Sequence, residues 1–186
     1  MTRRSCIAVA GEGSAIPGSP CWSAAEATGK MLVERGFRVV TGGQGGVMEA
    51  AFLGARQARS YREGDTIALL PGHASTSAND YADVVLPTGL ANARNALVAH
   101  ADALVAVGGG AGTLSEMALA WIHRRLVIAF RLPGWSGRVA GAPLDERSRF
   151  AAIADDCVFG VDSAAEVASI LQDRLASYLA AAALYP

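Results

Sequence analysis

The stretch ADALVAVGGGAGTLSEMALAWIHR, residues 101–124, decides which fold the sequence predicts. Residues 104–107 form a short apolar run, which is typical of a strand buried on both faces of a parallel sheet. A glycine cluster follows at 108–112, and an apolar helical pattern begins directly after it. Glycines at a strand-to-helix junction carry no Cβ atoms, so a ligand can approach the free N–H groups of the helix. The stretch therefore predicts an anion site, most often for phosphate, at the amino end of a helix.

Thr113 and Glu116 within this stretch allow a second interpretation. Their T-x-x-E spacing matches a capping box, in which the two side chains satisfy backbone N–H groups at the start of a helix. On spacing alone, a cap and a ligand-binding role are about equally supported for Glu116. The glycine run favours a ligand, because a cap needs no glycines and each glycine costs about 0.5–1 kcal/mol of backbone freedom.

The composition restricts the class of protein. A chain of 186 residues, 52% hydrophobic and with 21 glycines, fits one compact α/β domain over residues 1–186. The net charge of −1 gives no basic field, so we expect no nucleic-acid partner. No apolar run approaches the ~20 residues of a membrane span, and residues 1–13 lead directly into a strand and a glycine turn. We therefore expect no membrane attachment and a cytoplasmic location.

The cysteines and histidines give no sign of a metal site. The three cysteines are scattered and the three histidines share no ligand spacing with them or with each other. We expect reduced thiols and no metal.

Strand patterns and helix patterns alternate along the whole chain. The predicted strands are 6–10, 37–40, 66–70, 83–86, 104–107, 126–130 and 158–161. The predicted helices are 21–35, 47–58, 90–100, 113–123 and a last one that is capped by Ser163 and ends near 183. Short connections between them predict an α/β fold: a Rossmann-like, doubly wound, mostly parallel sheet flanked by helices. Residues 131–157 are longer than a turn requires and form either a rim or lid, or a solvated excursion.

Two more glycine turns follow predicted strands, at 11–14 and at 41–46. The first is only half of a dinucleotide fingerprint, because Ile16 replaces the third glycine, and the second predicted strand ends without an acidic residue. A standard NAD site is therefore disfavoured. Ligand crevices lie at the carboxyl ends of strands in open α/β sheets, so we expect the turns at 41–46 and 108–112 to face one pocket. The alternative for 41–46 is a tight turn with close helix packing.

Arg94 stands after a predicted strand end and shortly before the central strand. An isolated helix arginine is usually solvated, and that alternative stays open. Near the crevice, its planar five-donor guanidinium would suit a phosphate or an acidic heterocycle. The full set of predicted ligand-binding residues is Gly11, Ser14, Gly42, Gly43, Gly45, Arg94, Asn95, Gly108, Gly109, Gly110, Gly112, Thr113 and Glu116.

The segment GGGAGTLSE, residues 108–116, resembles the G-G-x-G-T-x-x-E hallmark of the Lonely Guy (LOG) phosphoribohydrolase superfamily, once mislabelled lysine decarboxylases. The resemblance covers nearly the whole chain. It includes TGGQGGVMEAA at 41–51, PTGLANARN at 87–95 and WSGRVAGAPLDER at 135–147, which look most like the branch of molybdenum cofactor carrier proteins.

The resemblance implies two alternative functions. In LOG-type enzymes an arginine and a glutamate that match Arg94 and Glu116 release the base from a nucleoside monophosphate. Proteins of the carrier-like branch bind a phosphate-bearing pterin without turnover. Gly108 stands where LOG enzymes have the proline of P-G-G, and Asn95 where they have the lysine of an Arg-Lys pair, so both agree better with carriers. The molybdenum cofactor is then a bound ligand rather than a required cofactor.

The resemblance also implies a homodimer or homotetramer. The predicted helix 113–123 carries apolar side chains over an arc wider than a surface helix requires, which indicates a subunit contact. A lysine decarboxylase is excluded, because pyridoxal phosphate needs a lysine and the one lysine, Lys30, lies in the predicted first helix away from the strand ends. A protein that keeps only the fold for an interaction role remains open.

Overall fold

The computed structural model describes residues 3–184, in which the strands build one sheet. The strands are β1 (Cys6–Gly11), β2 (Arg38–Thr41), β3 (Thr66–Leu70), β4 (Val84–Pro87), β5 (Ala103–Val107), β6 (Leu126–Phe130) and β7 (Phe159–Val161). Their order in the sheet is β4-β3-β2-β1-β5-β6-β7, and every neighbouring pair is parallel. The predicted mostly parallel sheet is thus confirmed and is parallel throughout.

Helices cover both faces of this sheet. They are α1 (Pro20–Glu34), α2 (Val47–Arg56), α3 (Asn95–Ala99), α4 (Ala111–Ile122), α5 (Trp135–Val139) and α6 (Ala164–Ala183). Side chains of α1, α2 and α6 join one hydrophobic cluster with one face of the strands, and α3 and α4 join a second cluster on the opposite face. The fold is therefore the Rossmann-like, doubly wound single-domain α/β architecture that the sequence predicts.

The central strands are apolar because both of their faces are covered. All five residues of β5 and all five of β6 are buried, as expected for strands inside a parallel sheet. From β1 the chain adds β2, β3 and β4 on one side, and then returns to place β5 on the other side of β1. The carboxyl ends of β1 and β5 are thus the topological switch point, where open α/β sheets leave a crevice.

Most predicted elements are present with ends that differ by one or two residues, but the predicted helix over 90–100 is wrong. A 3-10 turn, Ala91–Arg94, comes first, and the α-helical part is only α3. Gly89 and Ala91 have φ angles of +67° and +47°. A residue in the left-handed region cannot continue a right-handed helix, so the regular helix starts later.

The segment 131–157 contains a helix that the sequence analysis did not predict. This helix is α5, and it begins directly after Gly134, whose φ is +118°. Arg149, later in the same segment, is buried, so the segment is not simply a solvated excursion.

The predicted cap of the last helix is confirmed. Ser163 accepts a hydrogen bond from the Glu166 N–H, and the Glu166 carboxylate accepts one from the Asp162 N–H. Within residues 3–184, no helix has both the length and the apolar character that crossing a membrane would require. We expect no targeting segment in residues 1–13. The first two of them, Met1 and Thr2, lie outside the described residues.

Candidate functional site

A cleft of about 520 Å³ lies beside the carboxyl ends of β1 and β5. Its walls come from the turn after β1, the start of α1, the glycine turn after β5 and the turn after β6. The residues of this switch-point cleft are Glu12, Gly13, Ser14, Ser19, Pro20, Cys21, Gly109, Gly110, Pro133 and Gly134. Its volume falls in the range of about 300–1,000 Å³ that is usual for small-molecule sites.

The amino end of α4 faces this cleft without a side-chain cap. Its N-cap residue is Gly110, which has φ −101° and offers no side chain to the first-turn N–H groups. Gly110 and Gly112 are exposed, and apart from adjacent residues and the backbone of α4 itself no heavy atom of residues 3–184 lies within 4 Å of the position that a Cβ would take at either residue. Nothing in the described protein therefore requires glycine at these positions. Uncapped helix N–H groups with open space before them can hold an anion.

Gly108 and Gly109 have a different role, because the protein itself contacts them. Their φ angles are +61° and +86°. The Gly108 N–H donates to the Ser136 hydroxyl at 2.7 Å, while the carbonyls of Gly108 and Gly109 accept from the backbone N–H groups of Ser136 and Trp135. The Gly108 N–H, although Gly108 is among the predicted ligand-binding residues, is thus already used within the protein, where it holds α5 in place.

Arg94 and Glu116 are brought together between α3 and α4. The Arg94 Nη1 and the Glu116 Oε1 are 3.7 Å apart, and each residue is only 7% exposed. The alternative of a solvated Arg94 is thus wrong. Within residues 3–184, the Arg94 Nε and Nη1 are buried and have no hydrogen-bond partner. Buried polar groups normally find partners, and an exception marks a place where a ligand or ion can supply them.

Burial also shifts the pKa values of Arg94 and Glu116. Desolvation raises the pKa of Glu116 to about 7, although the charge of Arg94 opposes the shift. Desolvation likewise lowers the pKa of Arg94, against the charge of Glu116. A carboxyl group with a pKa near neutrality can accept or release a proton at physiological pH, which is a frequent property of functional sites.

The glycine turn at 41–46 supports Arg94 rather than lining the cleft. A Cβ at Gly42 would collide with the Arg94 Nη1, and Gly43, at φ +75°, packs against Ala68 and Leu70. A Cβ added at Gly45 would lie 3.8 Å from the Gly13 carbonyl oxygen, which is an ordinary contact distance. We expected the turns at 41–46 and 108–112 to face one pocket. The switch-point cleft is lined by residues of 108–112 but by none of 41–46. The alternative of a tight turn with close packing fits Gly42 and Gly43.

Thr113 does not cap α4. It lies inside the helix, and its hydroxyl donates to the Gly11 carbonyl at 3.1 Å, which ties α4 to the end of β1. The capping-box interpretation of Thr113 and Glu116 is thus wrong, because the helix begins at Ala111 and Glu116 turns inward to Arg94.

Three predicted residues remain, of which Gly11 is packed against its neighbours, because a Cβ there would collide with the Val107 carbonyl oxygen and the Val47 side chain. Asn95 is buried, and its side-chain amide is 3.5 Å from the Ser115 hydroxyl, so it ties α3 to α4. Ser14 is exposed at the cleft and donates a hydrogen bond to the Glu12 carboxylate at 3.3 Å.

The sequence analysis missed several cleft residues: Glu12, Cys21, Pro133 and Gly134. For Gly134 a signal existed, because it follows a buried strand as the other turn glycines do. Glu12 lies in the 11–14 turn, between the predicted residues Gly11 and Ser14, whereas Cys21 carries no such pattern, and only the packing of α1 against the strand ends brings the two together. Their thiol and carboxyl groups interact, and burial with this contact raises the pKa of Cys21 to about 11.

Within residues 3–184, no group of three or more histidine, cysteine, aspartate and glutamate side chains is arranged to hold a metal ion. The cysteines Cys6, Cys21 and Cys157 are free thiols.

Comparison with known proteins places the chain in a family. An uncharacterised protein of Archaeoglobus fulgidus is 39% identical over 106 residues, which are 56% of this chain and 67% of that protein. The molybdenum cofactor binding protein of Rippkaea orientalis superposes with a TM-score of 0.75 at 30% identity, covering 93% of this chain and 98% of that one. The molybdenum cofactor carrier protein of Chlamydomonas reinhardtii gives a TM-score of 0.73 at 28% identity, with 93% and 99% covered. The model of the SLOG cluster4 family matches residues 4–158, and the chain therefore belongs to this family.

Proposed function

We propose that this protein binds a phosphate-bearing, nucleotide-like ligand at the carboxyl edge of its sheet, as a molybdenum cofactor carrier does. One observation carries the proposal: the Arg94 guanidinium is buried with two nitrogen atoms that have no hydrogen-bond partner, beside Glu116 of a helix that begins without a side-chain cap. A buried unpaired donor costs roughly 1–3 kcal/mol or more. An anionic ligand would satisfy these donors and remove that cost.

The amino end of α4 is the second feature that favours binding of an anion. Gly110 and Gly112 leave its first-turn N–H groups uncovered, and the helix dipole favours negative charge there. The switch-point cleft beside it has room for the ring system of a nucleotide or pterin.

The molybdenum cofactor is the leading candidate for the ligand. The structures of the Rippkaea orientalis and Chlamydomonas reinhardtii proteins, which are named for this cofactor, resemble this chain over nearly its full length. In a carrier the cofactor is cargo, so the protein has to hold it and release it unchanged. No resident cofactor is then required.

Thermal shift measurements test the binding proposal. The purified protein is titrated with AMP, GMP and molybdenum cofactor, and the ligand is then recovered and analysed. A ligand that binds only the folded state raises the melting temperature with its concentration. We expect a rise for at least one of these ligands and its recovery intact. If no ligand shifts the melting temperature, the proposal is wrong.

The second candidate function is a LOG-type hydrolase that cleaves the N-glycosidic bond of a nucleoside 5′-monophosphate. The observation that favours it is Glu116, a buried carboxyl group with a pKa of about 7 beside a guanidinium. In this reaction a water oxygen bonds to C1′ of the ribose, the C1′–N bond breaks and the base leaves with a proton. The ionised Glu116 would take the proton from the water and pass it on to the departing base, and Arg94 would hold the phosphate or the charge that develops.

Release of free base separates the two functions. Wild type and Glu116→Gln are incubated with a panel of nucleoside monophosphates, and free base is quantified. Cleavage by wild type that falls by orders of magnitude in Glu116→Gln, with the fold intact, would establish the hydrolase and contradict the carrier. Absence of free base across the panel would contradict the hydrolase.

We also propose that the protein forms a homodimer or homotetramer. Ile122 at the end of α4 is 61% exposed, and Leu97 on the neighbouring α3 is 43% exposed. Exposed apolar side chains on adjacent helices are a common feature of subunit contacts. Light scattering coupled to size exclusion gives the mass, and Ile122→Lys should lower it if this surface is the contact.

A further inference from the structure

Glu12 is the one charged residue among those that line the switch-point cleft. It is half-buried, and no ion pair within residues 3–184 includes it. Its carboxylate accepts a hydrogen bond from the Ser14 hydroxyl at 3.3 Å and interacts with the Cys21 thiol. A carboxylate can accept about four hydrogen bonds, so acceptor positions remain for a ligand.

The backbone holds Glu12 at this place. Its N–H donates to the Val107 carbonyl at 3.1 Å, and its carbonyl accepts from the Val47 N–H at 3.0 Å. The residue is thereby bound to the end of β5 and to the first residue of α2. The backbone of Glu12 therefore does not belong to a loosely held surface loop, and its side chain starts from a fixed point on the cleft wall.

The Glu12 carboxylate is negatively charged, whereas the rest of the site favours an anion. The uncapped end of α4 and the unpaired donors of Arg94 favour a phosphate, whereas Glu12 repels one. A ligand that satisfies both needs an anionic end and, at its other end, hydrogen-bond donors for a carboxylate. A carboxylate binds two parallel N–H donors best, because both oxygen atoms then accept at once.

Heterocycles differ in whether they offer such a pair of donors. Guanine and 2-amino-4-oxopteridines present a ring N–H next to an exocyclic amino group. Hypoxanthine keeps the ring N–H but lacks the amino group, and adenine places its amino group beside an unprotonated ring nitrogen. Only the first class matches both oxygen atoms of a carboxylate.

We propose that Glu12 is a specificity-determining residue that selects ligands with a 2-amino-4-oxo pyrimidine edge, the edge shared by guanine and pterins. This inference rests on the proposed binding function. Phosphate contacts then provide affinity for any monophosphate, and Glu12 provides the discrimination between rings.

Calorimetric titration of wild type with GMP, IMP and AMP tests the proposal without any variant. GMP and IMP differ only in the 2-amino group. Loss of one hydrogen bond to a charged acceptor costs roughly ten- to a hundredfold in affinity, so GMP should bind tighter than IMP and AMP by about that factor.

Glu12→Gln should bring the affinity for GMP down to that for IMP and leave the affinity for IMP nearly unchanged. Glu34→Gln is the matched control, because Glu34 is exposed at the far end of α1 and the charge change is identical. The control should keep the preference for GMP. The melting temperature of the free Glu12→Gln protein establishes that the variant is folded.

Other outcomes overturn the proposal in distinct ways. Equal affinities of wild type for the three nucleotides would contradict it while leaving the binding function intact. Tighter binding of all three by Glu12→Gln would mean that Glu12 acts only as a repulsive charge. Equal weakening of all three, with a dependence on magnesium in wild type, would mean that Glu12 acts through a cation. If none of the three binds to any variant, the proposed binding function itself fails.

Discussion

Two buried arginines of this protein face carboxylates, and their surroundings differ in nearly every respect. Arg149 donates to both oxygen atoms of Asp156, at 2.7 and 2.5 Å, and also to the carbonyls of Trp121 and Arg125. Its guanidinium lies 3.5 Å from the centroid of the Trp121 ring. The Nη1 of Arg94 instead stands 3.7 Å from one oxygen atom of Glu116, and within residues 3–184 neither it nor Nε has a hydrogen-bond partner.

The difference separates a structural ion pair from a pair that keeps donors without hydrogen-bond partners, and this is why we propose that the second binds a ligand. The desolvation cost of the Arg149 pair is offset by bidentate geometry and added hydrogen bonds. The Arg94 pair lacks these contacts, and burial therefore pushes the Glu116 pKa up to about 7. Both arginines are equally hidden from water, so burial alone does not distinguish their roles. The number of satisfied donors does.

The largest expected effect is on stability, from Arg149→Ala. The change leaves Asp156 buried without its cation, and breaking a buried pair in this way costs about 3–5 kcal/mol. Urea denaturation measures the loss in the free energy of unfolding. Arg147→Ala is the control, because Arg147 is exposed and pairs only with its neighbour Asp145, and it should leave stability nearly unchanged. Similar losses in the two variants would contradict the structural role of Arg149.

Arg94→Met, unlike Arg149→Ala, should change ligand affinity much more than stability. Its buried charge makes few compensating contacts, and Glu116, with a pKa of about 7 already, can take up a proton once the cation is gone, so we expect the stability to change by less than about 1 kcal/mol. Affinity for nucleoside monophosphates should fall by roughly ten- to a hundredfold, because hydrogen bonds from a charged donor are lost. Titration calorimetry and urea denaturation on the same preparation measure both quantities. A stability loss as large as that of Arg149→Ala, with unchanged affinity, would make the Arg94 pair structural too.

The pH dependence of stability sharpens the comparison further. The Glu116 pKa is raised in the folded state from 4.5 to about 7, so the folded protein binds the proton more tightly than the unfolded chain. The free energy of unfolding of wild type, relative to Glu116→Gln, should thus be highest below pH 4.5 and fall as the pH rises through about 7. The change should be of the order of 1–3 kcal/mol. If the free energies of unfolding of the two proteins depend on pH in the same way, the Glu116 carboxyl does not have a raised pKa in the folded state.

The smallest effect is expected from Gly112→Ala. Beyond the backbone of α4 and the adjacent residues, no atom of the described protein lies within 4 Å of the new Cβ, and alanine favours the helix, so stability should stay constant or rise by up to about 1 kcal/mol. Affinity for monophosphates should nevertheless fall several-fold, because the methyl group covers N–H groups of α4. Gly42→Ala is the contrasting variant, because its Cβ would collide with the Arg94 guanidinium and lower both stability and affinity. A Gly112→Ala protein that binds as well as wild type would remove the α4 amino end from the site.

The glycine turns show how far sequence reasoning reaches. The sequence places a glycine cluster between β5 and α4, and the structure has that turn. It does not reveal that Gly108 and Gly109 fold back on the protein, whereas Gly110 and Gly112 face open space. That distinction depends on α5, whose Ser136 bonds to Gly108 from 28 residues away. Likewise the T-x-x-E pattern predicts a cap, but contacts with Gly11 and Arg94 determine the roles of Thr113 and Glu116.

The sequence by itself determined the α/β class, the parallel sheet and the resemblance to the LOG superfamily, because apolar periodicity and turn glycines act over short distances along the chain. Only the tertiary structure decided that Arg94 is buried beside Glu116 with two donors that lack hydrogen-bond partners, that Glu116 titrates near neutrality, and that Glu12 meets Cys21 in the switch-point cleft. These properties depend on desolvation and on partners from distant segments. Both arise only when the strands and helices pack together.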